Sequence, residues 1–215
     1  MQERHLQTQV SGRYLVEMPP GDSALPLLVG FHGYGQTAED GMELLRGIPG
    51  SDRWLLCAVE ALHPFMNSKG DPGACWMTRR DRDLRIAENV AYVDAVLDRV
   101  MKESMISDRV VLHGFSQGAG MACRAALLGR HPVAGVMLLG GEIPPELDSL
   151  GRLTSVHLAR GDRDRFYPAD RFETDGARLR DSGLAPDAVT FHGGHGPNAE
   201  YFALAGRFLG TIERA

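Results

Sequence analysis

Lysine is almost absent from this chain. Of its 23 basic residues only Lys69 and Lys102 are lysine, and neither sits in the Gly-x-x-x-x-Gly-Lys-Ser/Thr setting of a P-loop, so a P-loop nucleotidase is excluded. Basic residues are not clustered, and 28 acids outnumber them to give a net charge of −5. Binding along a phosphate backbone needs a concentrated positive stripe, so nucleic acid is not an expected partner. Cysteine is scarce too. Cys57, Cys75 and Cys123 are an odd number with no Cys-x-x-Cys pair, which argues against a disulfide framework and against a thiolate zinc site. They read instead as small buried hydrophobes. No apolar run approaches the ~18 residues of a membrane span, the polar first ten residues lack a signal-peptide core, and Asn-x-Ser/Thr is missing. These absences lead to the expectation of a cytoplasmic protein with reduced thiols and no stable membrane insertion.

What is present is an ordinary globular composition, with 43% hydrophobic and 24% charged residues over 215 positions. That length, uncut by a linker, suits one domain spanning residues 1–215. Short apolar runs at 25–31, 54–59, 110–113 and 133–139 read as strands buried on both faces. Residues 14–18 read as an edge strand, followed by a turn at Pro19-Pro20-Gly21-Asp22, and 155–159 and 188–191 as weaker strands. Helical spacing alternates with them. Ile86, Val90, Val93, Leu97 and Val100 share one face, 119–128 is a buried helix rich in Ala and Leu, and helices are expected over 168–180 and 198–209. The stretch 61–82 reads as a long irregular loop. Alternating strands and helices predict an α/β fold on a mostly parallel sheet.

Four segments carry chemistry. His113-Gly114-Phe115-Ser116-Gln117-Gly118 contains Gly-x-Ser-x-Gly between a predicted strand and a predicted helix, the setting in which a strained turn presents a serine hydroxyl over a helix N-terminus. A serine needs a base and an acid to orient it, and in this class of sheet they follow in the order acid, then histidine. Asp162 and Asp164, after the strand at 155–159, are the acid candidates; Asp164 is favoured and Asp162 reads as an exposed turn. His192 and His195, in Phe191-His192-Gly193-Gly194-His195-Gly196, are the base candidates, with His195 favoured. The two histidines lack the Glu of a His-Glu-x-x-His zinc motif, so no metal is expected. Upstream, His32-Gly33-Tyr34-Gly35 closes a strand and can turn backbone N–H groups inward, so the N–H groups of Tyr34 and Gln117 are the expected oxyanion donors.

In this order the pieces resemble the serine α/β-hydrolases and, more narrowly, the phospholipase/carboxylesterase family of small carboxylesterases and acyl-protein thioesterases. The likeness rests on Phe31-His32-Gly33-Tyr34-Gly35, on Gly114-Phe115-Ser116-Gln117-Gly118, on Gly161 to Pro168 with Asp164 three after the glycine, and on Gly194-His195. It implies an α/β-hydrolase fold with helices on both faces of the sheet and no large cap. It also implies Ser116 as nucleophile, His195 as base, Asp164 as its partner, and a cofactor-free enzyme acting on a small ester, often as a homodimer. Thioester or lysophospholipid hydrolysis is the close alternative, and a non-catalytic binding protein on the same scaffold the distant one. Two departures bear on substrate binding. Glu142, in Gly140-Gly141-Glu142-Ile143-Pro144, places a carboxylate at the site rim that disfavours anionic substrates or serves only a surface ion pair. Trp76, in the 61–82 stretch, walls an acyl pocket or fills the core.

Overall fold

The computed structural model describes residues 1–21, 23–66 and 70–214. Seven strands form one sheet, in chain order β1 (Tyr14–Glu17), β2 (Leu25–Phe31), β3 (Leu55–Val59), β6 (Ile106–Phe115), β7 (Gly135–Leu139), β8 (Val156–Gly161) and β9 (Asp187–Phe191). Their spatial order is β1-β3-β2-β6-β7-β8-β9, with β1 antiparallel to β3 and every other pairing parallel. β6 is therefore the central strand, and its C-terminal end faces the crevice where open parallel sheets bind ligands.

The continuous apolar runs are buried on both sides, as parallel strands require. On β2 and β3, Leu27, Val29, Phe31, Leu55, Cys57 and Val59 face one core. It is closed by α2 (Arg82–Glu103), α3 (Gln117–Leu128) and Leu179 of α4 (Ala169–Asp181). Leu28, Leu56 and Ala58 alternate to the opposite core, under α1 (Ala38–Arg46) and α5 (Ala199–Arg214). Cys57, Cys75 and Cys123 are buried and free, as expected. No helix among the described residues is long and apolar enough to cross a membrane.

One sequence expectation is corrected, and one helix is added. The stretch 61–82 is not irregular throughout: β4 (His63–Met66) and β5 (Pro72–Cys75) pair antiparallel, and α2 begins at Arg82, while residues 67–69 lie outside the described residues. The hairpin is docked from outside itself, since Gly35 N–H donates to Ala74 O at 2.9 Å and Ala74 N–H to Gln36 O at 3.0 Å. Helix α1 was not anticipated, although Thr37 N–H donates to Asp40 Oδ2 at 2.8 Å in a capping arrangement. Of the turn read at Pro19 to Asp22, Asp22 lies outside the described residues.

The turn from β6 into α3 admits no extra carbon. A Cβ on Gly118 would stand 2.1 Å from Phe31 O, and one on Gly114 would stand 2.3 Å from Gly118 O. Both obstacles are backbone, so the turn itself must move. Gly118→Ala is expected to cost about 2 kcal/mol and to lower Tm by roughly 4–8 °C, whereas Gly151→Ala, on an open surface, should stay within about 1 °C. Calorimetry on the two variants is the check; equal melting temperatures would contradict the reading.

Candidate active site

Ser116 sits between β6 and α3 with φ 52° and ψ −118°, a left-handed conformation that a side-chain-bearing residue rarely adopts. The turn is held by Ser116 N–H donating to Leu139 O at 2.8 Å and Ala119 N–H donating to Ser116 O at 3.0 Å. The hydroxyl lies 2.9 Å from His195 Nε2. On the other side of the ring His195 Nδ1 lies 2.8 Å from Asp164 Oδ2. Asp164 is almost wholly buried, and its other oxygen accepts the backbone N–H groups of Phe166 (2.8 Å) and Tyr167 (3.0 Å). Both carboxylate oxygens are thus committed, which fixes the acceptor for Nδ1 and leaves Nε2 as the acceptor for the serine hydroxyl. The imidazole ring contacts Phe115 (centroids 5.1 Å apart) and Phe166 (4.8 Å).

The alternative acid and base pair with each other instead. His192 Nδ1 lies 2.9 Å from Asp162 Oδ2, and Gly193 N–H donates to Asp162 Oδ1 at 2.9 Å, on an exposed edge of the same two loops. The Gly193 N–H and the His192 ring hold the Asp162 carboxyl below its usual range.

The loop after β2 is locked around Tyr34. Gly33 N–H donates to Gln36 Oε1 (2.8 Å), Gln36 N–H to Gly33 O (3.2 Å) and Gly35 N–H to Ala74 O (2.9 Å). Among the described residues no acceptor takes the Tyr34 N–H, and the Gln117 N–H is in the first turn of α3, where helix donors lack intrahelical partners. His32 ties this loop to the end of β3: Nε2 accepts the Ala61 N–H at 3.1 Å while Nδ1 lies 2.7 Å from Gly33 O. Burial pushes its pKa down, in keeping with a neutral ring that donates from one nitrogen and accepts at the other.

Trp76 does not wall an open pocket. It is 0% exposed, and its three polar groups are all engaged: N–H to Gln117 Oε1 (2.7 Å), indole N–H to His32 O (2.9 Å), and C=O from Asn89 Nδ2 (2.8 Å). It is a core residue that joins the hairpin, α2 and the Ser116 turn, because an indole fixed on every polar atom serves packing. Glu142 does lie at the rim. It lines both lobes of the cavity beside Ser116, of about 180 and 450 Å³, and is ion-paired to Arg171.

One brace had no local signal in the sequence. Asp175 of α4 is buried and accepts the Tyr167 O–H (2.8 Å) and the Ile143 N–H (3.0 Å), while Arg178 donates to Ile143 O (2.7 Å) and Leu147 O (2.9 Å). It therefore links the Asp164 loop to the loop carrying Glu142. Burial raises the Asp175 pKa against the pull of these donors, and raises that of the Tyr167 phenol. Asp175→Ala strands two buried donors and is expected to cost about 2 kcal/mol, a fall of roughly 4–8 °C in Tm. Asp175→Asn, which keeps acceptor oxygen, should lose less; a thermal melt in which both match the parent would refute the brace.

The sequence profile described as Phospholipase/Carboxylesterase matches residues 15–212. Esterase PE8 is 27% identical over 94% of this chain and 98% of its own, with a TM-score of 0.71. The Bacillus cereus carboxylesterase superposes at a TM-score of 0.74 with 18% identity, covering 94% of both chains. Zea mays acyl-protein thioesterase 2, also 18% identical, covers 94% of this chain and 99% of its own at a TM-score of 0.71. With a match across nearly its whole length, on an α/β sheet of the expected kind, the chain belongs to the phospholipase/carboxylesterase family of ester hydrolases.

Proposed function

We propose that the protein hydrolyses small carboxylic esters through an acyl-enzyme formed on Ser116. The observation that carries this reading is the unbroken path from Ser116 Oγ to His195 Nε2 (2.9 Å) and from His195 Nδ1 to Asp164 Oδ2 (2.8 Å). Ser116 Oγ attacks the ester carbonyl as His195 Nε2 takes its proton. The carbonyl electrons move to oxygen, where the N–H groups of Tyr34 and Gln117 are the proposed donors, each worth roughly 3 kcal/mol of barrier. Collapse expels the alkoxide, which leaves with the proton from Nε2. Water, deprotonated by the same nitrogen, then attacks the acyl-enzyme and releases the acid and Ser116. Asp164 orients the ring and stabilises the imidazolium formed in each half. Because an imidazolium cannot act as base, the rate should fall as the solution is acidified.

The same machinery serves thioesters. Three buried free thiols support a cytoplasmic setting, and a homodimer is proposed from the family resemblance alone. The test is labelling with a serine-directed fluorophosphonate, followed by turnover of p-nitrophenyl esters from acetate to palmitate. One label per chain at Ser116 and a short-chain optimum are expected. An unlabelled Ser116 would point to a binding protein, and a palmitate optimum to a lipid substrate.

A further inference from the structure

The chain is acidic overall, with a net charge of −5, yet the cavity around Ser116 is lined by Arg82, Arg124, Arg165 and Arg171 against the single carboxylate of Glu142. Three of these arginines are already engaged. Arg171 pairs with Glu142, while Arg124 (2.6 Å) and Arg82 (3.0 Å) share Glu146. The Glu142 carboxylate is thereby neutralised at the rim, and the expectation that it turns anions away loses its basis. Arg165 is different: among the described residues no carboxylate pairs with it. Its backbone is nevertheless fixed, since Asp164 precedes it and the N–H groups of Phe166 and Tyr167, which follow it, are held by Asp164 Oδ1.

Arg165 and Arg171 line the larger lobe, together with Phe166 and Pro168. This lobe adjoins the base. Phe166 lies 4.8 Å from the His195 ring, a Cβ on Gly140, another lining residue, would stand 3.3 Å from His195 Cε1 and Nδ1, and Ser116, whose Oγ is 2.9 Å from Nε2, lines the lobe as well. The nitrogen that protonates the departing oxygen must be next to it, so the leaving group occupies this side. The lobe also meets the start of α4, where Pro168 is the N-cap and no side chain caps the first-turn N–H groups. Those donors and the helix dipole add positive potential beside the guanidinium, against the one carboxylate of that turn, Asp170.

We propose that the leaving group of the natural ester carries an anion, a carboxylate or a phosphate, which Arg165 holds at the N-terminal end of α4. The inference rests on the Ser116 hydrolase reading and names its substrate class. A guanidinium suits either oxyanion because its forked N–H groups can make two parallel charge-assisted bonds.

The experiment compares the acetyl esters of 4-hydroxybenzamide, 4-hydroxybenzoate and 4-hydroxyphenylphosphonate on the full chain and on Arg165→Gln. The ratio of kcat/KM for an anionic ester to that for the neutral one cancels general damage to the site. That ratio is expected to fall about 10-fold or more in Arg165→Gln, and to fall in the parent as salt is raised. The anion showing the larger loss identifies the source. Arg163→Gln, whose guanidinium lies 3.7 Å from Asp162 outside the lobe, should leave the ratio in place. An unchanged ratio in Arg165→Gln, or an equal fall in Arg163→Gln, overturns the proposal. Absence of Ser116-dependent turnover on all three esters overturns the hydrolase reading and this inference with it.

Discussion

Ser116→Ala is expected to lower kcat/KM on a short p-nitrophenyl ester by about 10⁴- to 10⁶-fold, the range set by losing a nucleophile whose partners act only through it. Without Oγ no acyl-enzyme forms, and His195 can only activate water that no covalent bond positions. The oxyanion donors and the cavity remain, which leaves a small residual rate. The fold should be indifferent to the change. Among the described residues the hydroxyl partner is His195 alone, and alanine meets the same strained backbone, φ 52° and ψ −118°, that serine does. Tm should therefore stay within about 2 °C of the parent, while Ser116→Gly, which tolerates positive φ, should melt above Ser116→Ala. The combination separates catalysis from stability. A Ser116→Ala protein that keeps more than a hundredth of the parent rate would remove this serine from the mechanism.

The residues proposed to react were legible because their chemistry depends on local sequence. A Gly-x-Ser-x-Gly turn needs small neighbours at Gly114 and Gly118, a requirement written within five positions. The His195 loop advertises itself by its glycines, and the long apolar runs of β2, β3 and β7 announce a sheet buried on both faces. What was missed depends on distant pairing. Pro64, Gly70, Pro72 and Gly73 read as loop residues, and β4 and β5 form because they pair with each other and dock on the backbone at Gly35 and Gln36. Helix α1 carries Gly41 in its middle, which weakens its helical signal. Asp175 looks like any acid on a polar helix until the fold brings Tyr167 and Ile143 to it. The pairing of Glu142 with Arg171, and of Glu146 with Arg82 and Arg124, is likewise invisible in sequence. The net charge of the cavity follows from those pairings, and only the fold reveals that one arginine is left over.

Acid should destabilise the protein well before its carboxylates titrate, and His113 is the reason. It lies on β6, three residues before Ser116, wholly buried, with Nε2 2.6 Å from the Tyr201 hydroxyl of α5. Burial, aided by His157 on β8, pushes its pKa down to about 3. His157 is itself held by Asp187 of β9 at 2.8 Å, so that carboxylate is already committed. An exposed histidine in the unfolded chain titrates near pH 6.5, so the folded state binds the proton less well. The contribution is fully present above about pH 6.5 and is lost as pH falls toward 3; from pH 7 to 4 the loss comes to about 3 kcal/mol. His32, pushed down by the same cause, steepens the slope. The ion-paired carboxylates act in a lower window, as Glu39, drawn down to about 2 by Arg13, illustrates. Urea melts at pH 7, 6, 5 and 4 should show the decline beginning near 6.5. His113→Gln should be less stable at pH 7 yet flatter between 6.5 and 4.5, and parallel curves for the two proteins would rule His113 out as the source. The effect bears on activity because α5, which supplies Tyr201, follows directly from the loop that holds His195. Charging His113 expels it from Tyr201, loosens the start of α5, and should release the imidazole from Ser116 in the same transition.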